Sequence, residues 1–302
     1  MNDVTAEVDI VVVTHNSAKV IRDLLASIPG ALGGLTARVV VVDNGSSDRT
    51  VPLLRACGGC RVVESENAGY SAGINRGVSE LEGDAPILVL NPDVRLGRNS
   101  IVALLGALAL PATGVVAPNV RNADGSLNFS LRREPTLLRA CGLGFTTSPR
   151  FSEHIVETGV YENPAVVDWV LGAAMLVSRK CHQELGGWDE SFFLYSEETD
   201  LCLRARDHGW LVRYEPEAVV THIGGESGRT PRIHSMQIVN KVRLYARRHD
   251  SMASWAYFGF TVASEASWVV RGHRQSVTSL RALLMPSRRP REIGCSQRLL
   301  PT

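Results

Sequence analysis

The stretch Ile87-Leu88-Val89-Leu90-Asn91-Pro92-Asp93-Val94 sets an acid just past an abrupt strand stop. Four apolar residues predict a short buried strand, and Pro92 removes a backbone donor and fixes its own φ. Asp93 is thereby expected at the strand's C-terminal end, where open α/β sheets place their ligands. A carboxylate there can hold a hard cation, and a cation there can hold phosphate oxygens. Standing alone, Asn-Pro-Asp more often marks a turn. Glu197-Glu198-Thr199-Asp200 gathers three acids at the start of a predicted helix, Leu201 to His208, where negative charge complements the helix dipole. His222 follows a predicted strand, Ala218 to Thr221, a place where a lone histidine is more often a surface or packed side chain.

These groups need a scaffold, and the first ninety residues predict one. Val8 to Thr14 and Arg38 to Val42 are apolar runs expected as buried strands. A helix is expected over Ala18 to Ile28, ended by Pro29-Gly30, and another reaching about Ala56. A strand near Arg61 to Glu64 precedes the loop Asn67 to Gly77, a further helix and the Ile87 strand. Strands alternating with helices imply a parallel sheet with right-handed crossovers. Beyond it the sequence predicts a helix over Asn99 to Leu110 and a strand at Val115 to Ala117. A hairpin turning at Asn122 to Gly125 follows, then an irregular stretch over 134–165. Trp169 to Val177 is apolar enough for one core strand, and Val212 to Tyr214 predicts another.

Several familiar chemistries are excluded. There is no G-x-G-x-x-G after the first strand and no G-x-x-x-x-G-K-[ST]. Gly225-Glu226-Ser227-Gly228 lacks the last glycine of a nucleophile elbow, because Arg229 stands there. Gly69, Gly73 and Gly77 recur on one helical face and suit close packing as well as a ligand. Cys57 and Cys60 have redox spacing but sit between a helix and a strand, as a Gly-rich turn. Six cysteines in 302 residues make no disulfide scaffold and suit a reducing compartment. Residues 1–7 carry neither the basic nor the apolar region of a signal peptide, and no run reaches the length of a membrane span.

The net charge of +1 conceals an asymmetry. Residues 251–302 carry seven arginines against Glu265 and Glu292, a local +5 on an acidic body. Such a tail suits an anionic surface, membrane lipid or nucleic acid by composition alone. Trp255, Phe258, Val262, Ala266 and Val269 recur at helical steps from about Ser254, and Tyr257, Phe260 and Trp268 widen the stripe with residues favoured at membrane interfaces. The alternative is a helix that packs on the preceding domain.

Taken in order, these pieces resemble the family 2 glycosyltransferases, enzymes of the GT-A fold that use nucleotide-sugars. The resemblance rests on Val11-Val-Val-Thr-His-Asn16, Asp43-Asn-Gly-Ser-Ser-Asp48, Asn67-Ala-Gly69 with Asn75, Leu90-Asn-Pro-Asp93, Gly187-Trp-Asp-Glu190, Glu197-Glu198 with Asp200, and His222. It covers about residues 8–230 and looks most like the bacterial rhamnosyltransferase branch of cell-wall and lipopolysaccharide assembly. It implies an α/β, Rossmann-like, mostly parallel GT-A sheet over 1–250, with a helical basic tail over 251–302. It implies Mg²⁺ or Mn²⁺ held by Asp93 and His222, and a donor pocket drawn from Thr14, Asn16, Asp43, Asn67, Gly69, Asn75 and Asn91. Asp43 would accept the ring N–H of a pyrimidine base. Glu198 would be the general base, although the family more often has aspartate there; Glu197 and Asp200 are the alternatives. Trp169, Asp189 and Asp200 would bound the acceptor.

The implied partners are a nucleotide-sugar, dTDP-rhamnose first, and a lipid-linked saccharide. The implied location is the inner face of the cell membrane, peripherally bound, with no nucleic acid and with homo-oligomers open. UDP-GlcNAc, UDP-galactofuranose or UDP-glucose are alternative donors, and a silent nucleotide-sugar-binding scaffold is the alternative outside catalysis.

Overall fold

The computed structural model describes residues 7–224, 230–292 and 299–300. Its strands are β1 (Val8–Thr14), β2 (Ala37–Asn44), β3 (Arg61–Ser65), β4 (Ile87–Leu90), β5 (Val94–Leu96), β6 (Thr113–Asn122), β7 (Leu131–Arg132), β8 (Ala165–Val167), β9 (Trp169–Val170), β10 (Ala174–Val177) and β11 (Leu211–His222). Its helices are α1 (Ile21–Leu32), α2 (Thr50–Cys57), α3 (Tyr70–Ser79), α4 (Ser100–Leu108), α5 (Leu137–Ala140), α6 (Arg179–Leu185), α7 (Glu197–Asp207), α8 (Pro231–Arg248), α9 (Ser251–Val270) and α10 (Arg274–Leu284).

The main sheet runs β3-β2-β1-β4-β10-β6-β11-β5, with β8 on β11, and β7 pairs β9 in a second small sheet. The pairs β1–β2, β1–β4, β2–β3 and β6–β11 are parallel, as the alternating pattern requires. β1 is buried on both faces, so its residues divide by parity. Val11 and Val13 join a core with Ile74, Trp188 and Leu201, while Val8, Ile10 and Val12 join another with Leu24, Leu54 and Ile101. A third core unites α8, α9 and α10 through Met236, Val239, Tyr257 and Leu283, straddling residue 250.

Several expectations change. Pro29 does not end α1, which continues to Leu32 and stops at Gly33 in the left-handed region. The buried Ile28 and Ala31 hold the last turn on the core, which offsets the backbone hydrogen bond that proline cannot make. Gly73 and Gly77 lie inside α3 rather than in a loop. A Cβ on either would stand 2.7 Å or 2.6 Å from Val13 or Val11, so close packing on β1 is their role. The run from Trp169 to Val177 is two strands, because β9 pairs β7 in one sheet and β10 pairs β4 in the other, with Gly172 in the gap. The expected hairpin closes its turn at Asn122 to Ser126 but keeps only the bridge Arg121–Leu127. Strands expected at 212–214 and 218–221 are one strand, β11, with a register shift between Glu215 and Val219. The described cysteines are all free, and 225–228 lies outside the described residues.

Candidate active site

The parallel register sets Thr14 opposite Asp43 at the C-terminal ends of β1 and β2. Thr14 Oγ1 donates to Asp43 Oδ1 at 3.0 Å, and the amide and hydroxyl of Ser46 donate to the same carboxylate at 2.9 and 2.5 Å. Asn16 takes a positive φ of 56° and accepts the Ser47 amide at 2.8 Å, tying the loop after β1 to the loop after β2. Asp43 is almost wholly buried, yet its Oδ2 accepts only one hydrogen bond, so the carboxylate keeps acceptor capacity.

On the next strand, Asp93 follows β4 after the Asn91-Pro92 stop, as expected. β11 runs antiparallel to β5 with His222 opposite Val94, and this brings His222 Nε2 to 3.2 Å from Asp93 Oδ2. The carboxylate oxygen suits Mg²⁺ or Mn²⁺, and the imidazole nitrogen beside it makes a mixed donor pair for a divalent cation, with substrate and water oxygens to complete the shell. Among the described residues no cluster of three or more metal-ligating side chains exists.

Asn91 accepts the Tyr70 hydroxyl at 2.7 Å. Burial pushes the Tyr70 pKa well up, and the charges of Glu197, Glu198 and Asp93 push it further. Glu197 and Glu198 open α7, and Oε2 of each is buried without a hydrogen-bond partner. Burial raises the Glu197 pKa well above the usual carboxylate range, and the charge of Glu198 adds to it. Burial raises Glu198 too, but the amides of Gly172 and Thr199 and the Arg132 charge oppose the shift. The pair's negative charge is therefore better supported on Glu198.

Other expected site residues are committed to holding the frame. Asn67 accepts the Gly69 amide at 3.3 Å, and Gly69, at φ +107°, leaves no room for a Cβ against Phe193 O. Asn75 donates to Trp188 O and Glu190 and accepts the Trp188 amide, which fixes the Gly187-Trp188 turn. Asp189 pairs with Arg247 at 2.6 Å, and Asp200 with Arg204 at 2.7 Å, so both already have a cation. Trp169 is 9% exposed, donates from Nε1 to Arg133 O at 2.9 Å, and faces the Arg132 guanidinium 5.8 Å from its ring centre. Tyr70, Gly172 and Arg132 were not foreseen. The only signal for Tyr70 was its place directly after Asn67-Ala-Gly69.

A mixed α/β sheet thus carries an Asp–His pair after β4 and β11, a buried carboxylate pair at the start of α7 and a buried, hydrogen-bonded Asp43 at the end of β2. The chain belongs to glycosyl transferase family 2: that family's model matches residues 9–159, and the model of glycosyl transferase family group 2 matches 146–232. N-acetylglucosaminyl-diphospho-decaprenol L-rhamnosyltransferase of Mycobacterium tuberculosis is 31% identical over 291 residues, 90% of this chain and 94% of that protein. Rhamnosyltransferase WbbL of Escherichia coli is 24% identical over 73% of this chain and 85% of its own length. Among solved structures, a mannosyltransferase from Pyrobaculum calidifontis in complex with GDP-Man and Mn²⁺ superposes with a TM-score of 0.58. It is 18% identical, and the match covers 91% of this chain and 78% of that one. The fold is GT-A, with α8 to α10 as its C-terminal helical extension.

Proposed function

We propose that the chain is an inverting, metal-dependent rhamnosyltransferase that moves L-rhamnose from dTDP-rhamnose to a hydroxyl of a lipid-linked saccharide. The observation that carries this reading is the meeting of Asp93 and His222 across β4–β5 and β11, beside the buried Glu197–Glu198 pair that opens α7. The two rhamnosyltransferase relatives support the donor, and the diphospho-decaprenol acceptor named for the mycobacterial relative supports the acceptor class. Asp93 and His222 would hold the cation, which when bound offsets the charge gathering on the departing diphosphate. Asp43, with Thr14 and Asn16 shaping its loop, accepts the N–H of the pyrimidine ring. Glu198 takes the proton of the acceptor hydroxyl as that oxygen bonds to the anomeric carbon. The bond from the anomeric carbon to the phosphate oxygen breaks on the opposite face, so configuration inverts. Transfer assays over dTDP-rhamnose, UDP-GlcNAc, UDP-galactofuranose and UDP-glucose, with and without Mn²⁺, test it. Transfer from a UDP-sugar but not from dTDP-rhamnose would replace the donor, and absence of transfer from any would favour a binding scaffold.

Asp43→Ala is expected to raise the donor KM about tenfold or more, the value of one charge-assisted hydrogen bond, with a smaller change in kcat. A collapse of kcat at constant KM would remove Asp43 from the base pocket.

A lipid-linked acceptor places the enzyme at a bilayer, and α9 is built for that surface. It buries Ser254, Tyr257, Thr261 and Glu265 against its neighbours and turns Met252, Trp255, Phe260 and Val270 outward. Trp255 is 55% and Val270 88% exposed, and Glu265, the one charged residue of α9, lies buried near His234. The expected stripe of Phe258 and Val262 is half-buried on the third core, so α9 both packs on the domain and presents an uncharged face. Among the described residues no helix is long and apolar enough to cross a membrane. Arginines 271, 274 and 281 follow, and each adds about 1 kcal/mol near anionic headgroups. The double variant Trp255→Ser, Phe260→Ser is therefore expected to bind anionic vesicles about tenfold more weakly, and high salt to weaken the wild type. Equal co-sedimentation of variant and wild type would remove this face from the contact.

A further inference from the structure

Arg132 is a buried cation without a carboxylate partner. It is 7% exposed, in β7, and among the described residues it forms no ion pair. The neighbouring basic residues are paired: Arg133 with Glu157, Lys241 with Glu153, and Arg206 with Glu134 and Asp168. Buried charges are costly unless something neutralises them, so an arginine left single in this setting needs an explanation.

Its geometry limits what the partner can be. Arg132 Nη1 donates to the carbonyls of Phe129 and Leu131, and the Trp169 ring lies against the guanidinium. These contacts fix the plane of the group and use one of its three nitrogens. Nε and Nη2 donate to no protein acceptor among the described residues, and neither is sealed from solvent. That leaves an open edge of the guanidinium, the edge that grips carboxylate or phosphate with two parallel hydrogen bonds.

Two carboxylates lie near enough to act on it. The carboxylates whose charge acts on Arg132 are Glu153, already paired with Lys241, and Glu198, and neither is in hydrogen-bond or ion-pair contact with it. Trp169 pairs with Arg132 in the β7–β9 ladder, and three residues further on Gly172 lies against Glu198, so one short run of chain joins the two groups. The donor's diphosphate belongs to Asp93 and His222, so the anion at Arg132 comes from the other substrate.

We propose that Arg132 is the acceptor-side anion site: Nε and Nη2 hold a phosphate on the anomeric oxygen of the acceptor sugar whose free hydroxyl meets Glu198. This rests on the reading of the chain as a transferase to a diphospho-linked acceptor, and it makes Arg132 the residue that distinguishes such acceptors from neutral glycosides.

The test uses the full chain, one donor and two acceptors with the same sugar, a short-chain polyprenyl diphosphate ester and a neutral alkyl glycoside. Wild type is expected to prefer the diphosphate by about 100-fold in kcat/KM, and Arg132→Gln to cut that ratio about 30-fold, the range of a charge-assisted bidentate contact. The loss should fall on the KM of the diphosphate acceptor, with the donor KM within twofold. Arg132→Lys, which keeps the charge without the fork, should fall between, and it carries the test if the glutamine variant does not fold. An unchanged ratio overturns the proposal. So does a raised donor KM, which would assign the anion to the donor. Equal kcat loss on both acceptors with a displaced acidic limb also overturns it, since Arg132 would then serve Glu198. A wild type that transfers to neither acceptor sinks the function itself, and this inference with it.

Discussion

Asp93→Asn lowers metal-supported transfer by about 10³-fold or more while thermal unfolding stays close to wild type; that is the expected result for a metal ligand outside the core. The substitution is isosteric, and the side chain's one ion-pair partner is His222 at 3.2 Å. Its backbone role, accepting the Ile223 amide at 3.0 Å, survives the change. What is lost is negative charge where a cation must counter the diphosphate, and several kcal/mol of leaving-group stabilisation go with it. His222→Gln should lose less, because the carboxylate would remain. Steady-state kinetics over a Mn²⁺ titration measure this, and near-normal turnover of the asparagine variant would remove Asp93 from the metal site.

Much of this site could be read in the sequence because its groups sit where chain chemistry changes abruptly. The apolar run before Asn91-Pro92 had to stop, and Asp93 had to follow it, whatever the rest of the fold. The same logic placed Asp43 and Thr14, each at the end of a run too apolar to be anything but a buried strand. Where one local signal met a stronger tertiary one, the reading failed. Pro29 ordinarily ends a helix, but Ile28 and Ala31, on either side of it, are held in the core. Trp169 to Val177 is uniformly apolar, and nothing local tells a chain to change sheets at Gly172. α8 carries eight buried positions among basic and polar residues, so its periodicity was too diluted to see. Arg132 was invisible for a different reason. A basic residue in a two-residue strand reads as solvent-exposed, and its burial comes from distant chain, with the bridge to His154 and the Trp169 ring against the guanidinium.

Glu198→Gln is expected to separate stability from function. Removing the base should cut kcat by about 10²–10⁴-fold, with the donor KM nearly unchanged and the acidic limb of the pH profile gone. In the wild type that limb should lie above the ordinary carboxylate range, because burial raises Glu198 and the neighbouring Glu197 titrates with it. Stability moves the other way. A carboxyl whose folded pKa is raised leaves the fold unpenalised below the unfolded value of about 4.3, and the penalty grows as pH climbs from there toward the folded pKa. Glutamine has no charge to bury, so the variant should match wild type near pH 4 and exceed it at neutral pH by about 1 kcal/mol, some 2–4 °C in Tm. Glu197→Gln should be stabilised likewise, since Glu197 Oε2 is also buried without a partner. It should nonetheless keep most of its turnover, with the acidic limb moved to lower pH once the like charge is gone. If Glu197→Gln loses turnover and Glu198→Gln does not, the two carboxylates exchange roles. If Glu198→Gln is less stable than wild type at every pH, the charge is not buried at cost and the account of the pair fails.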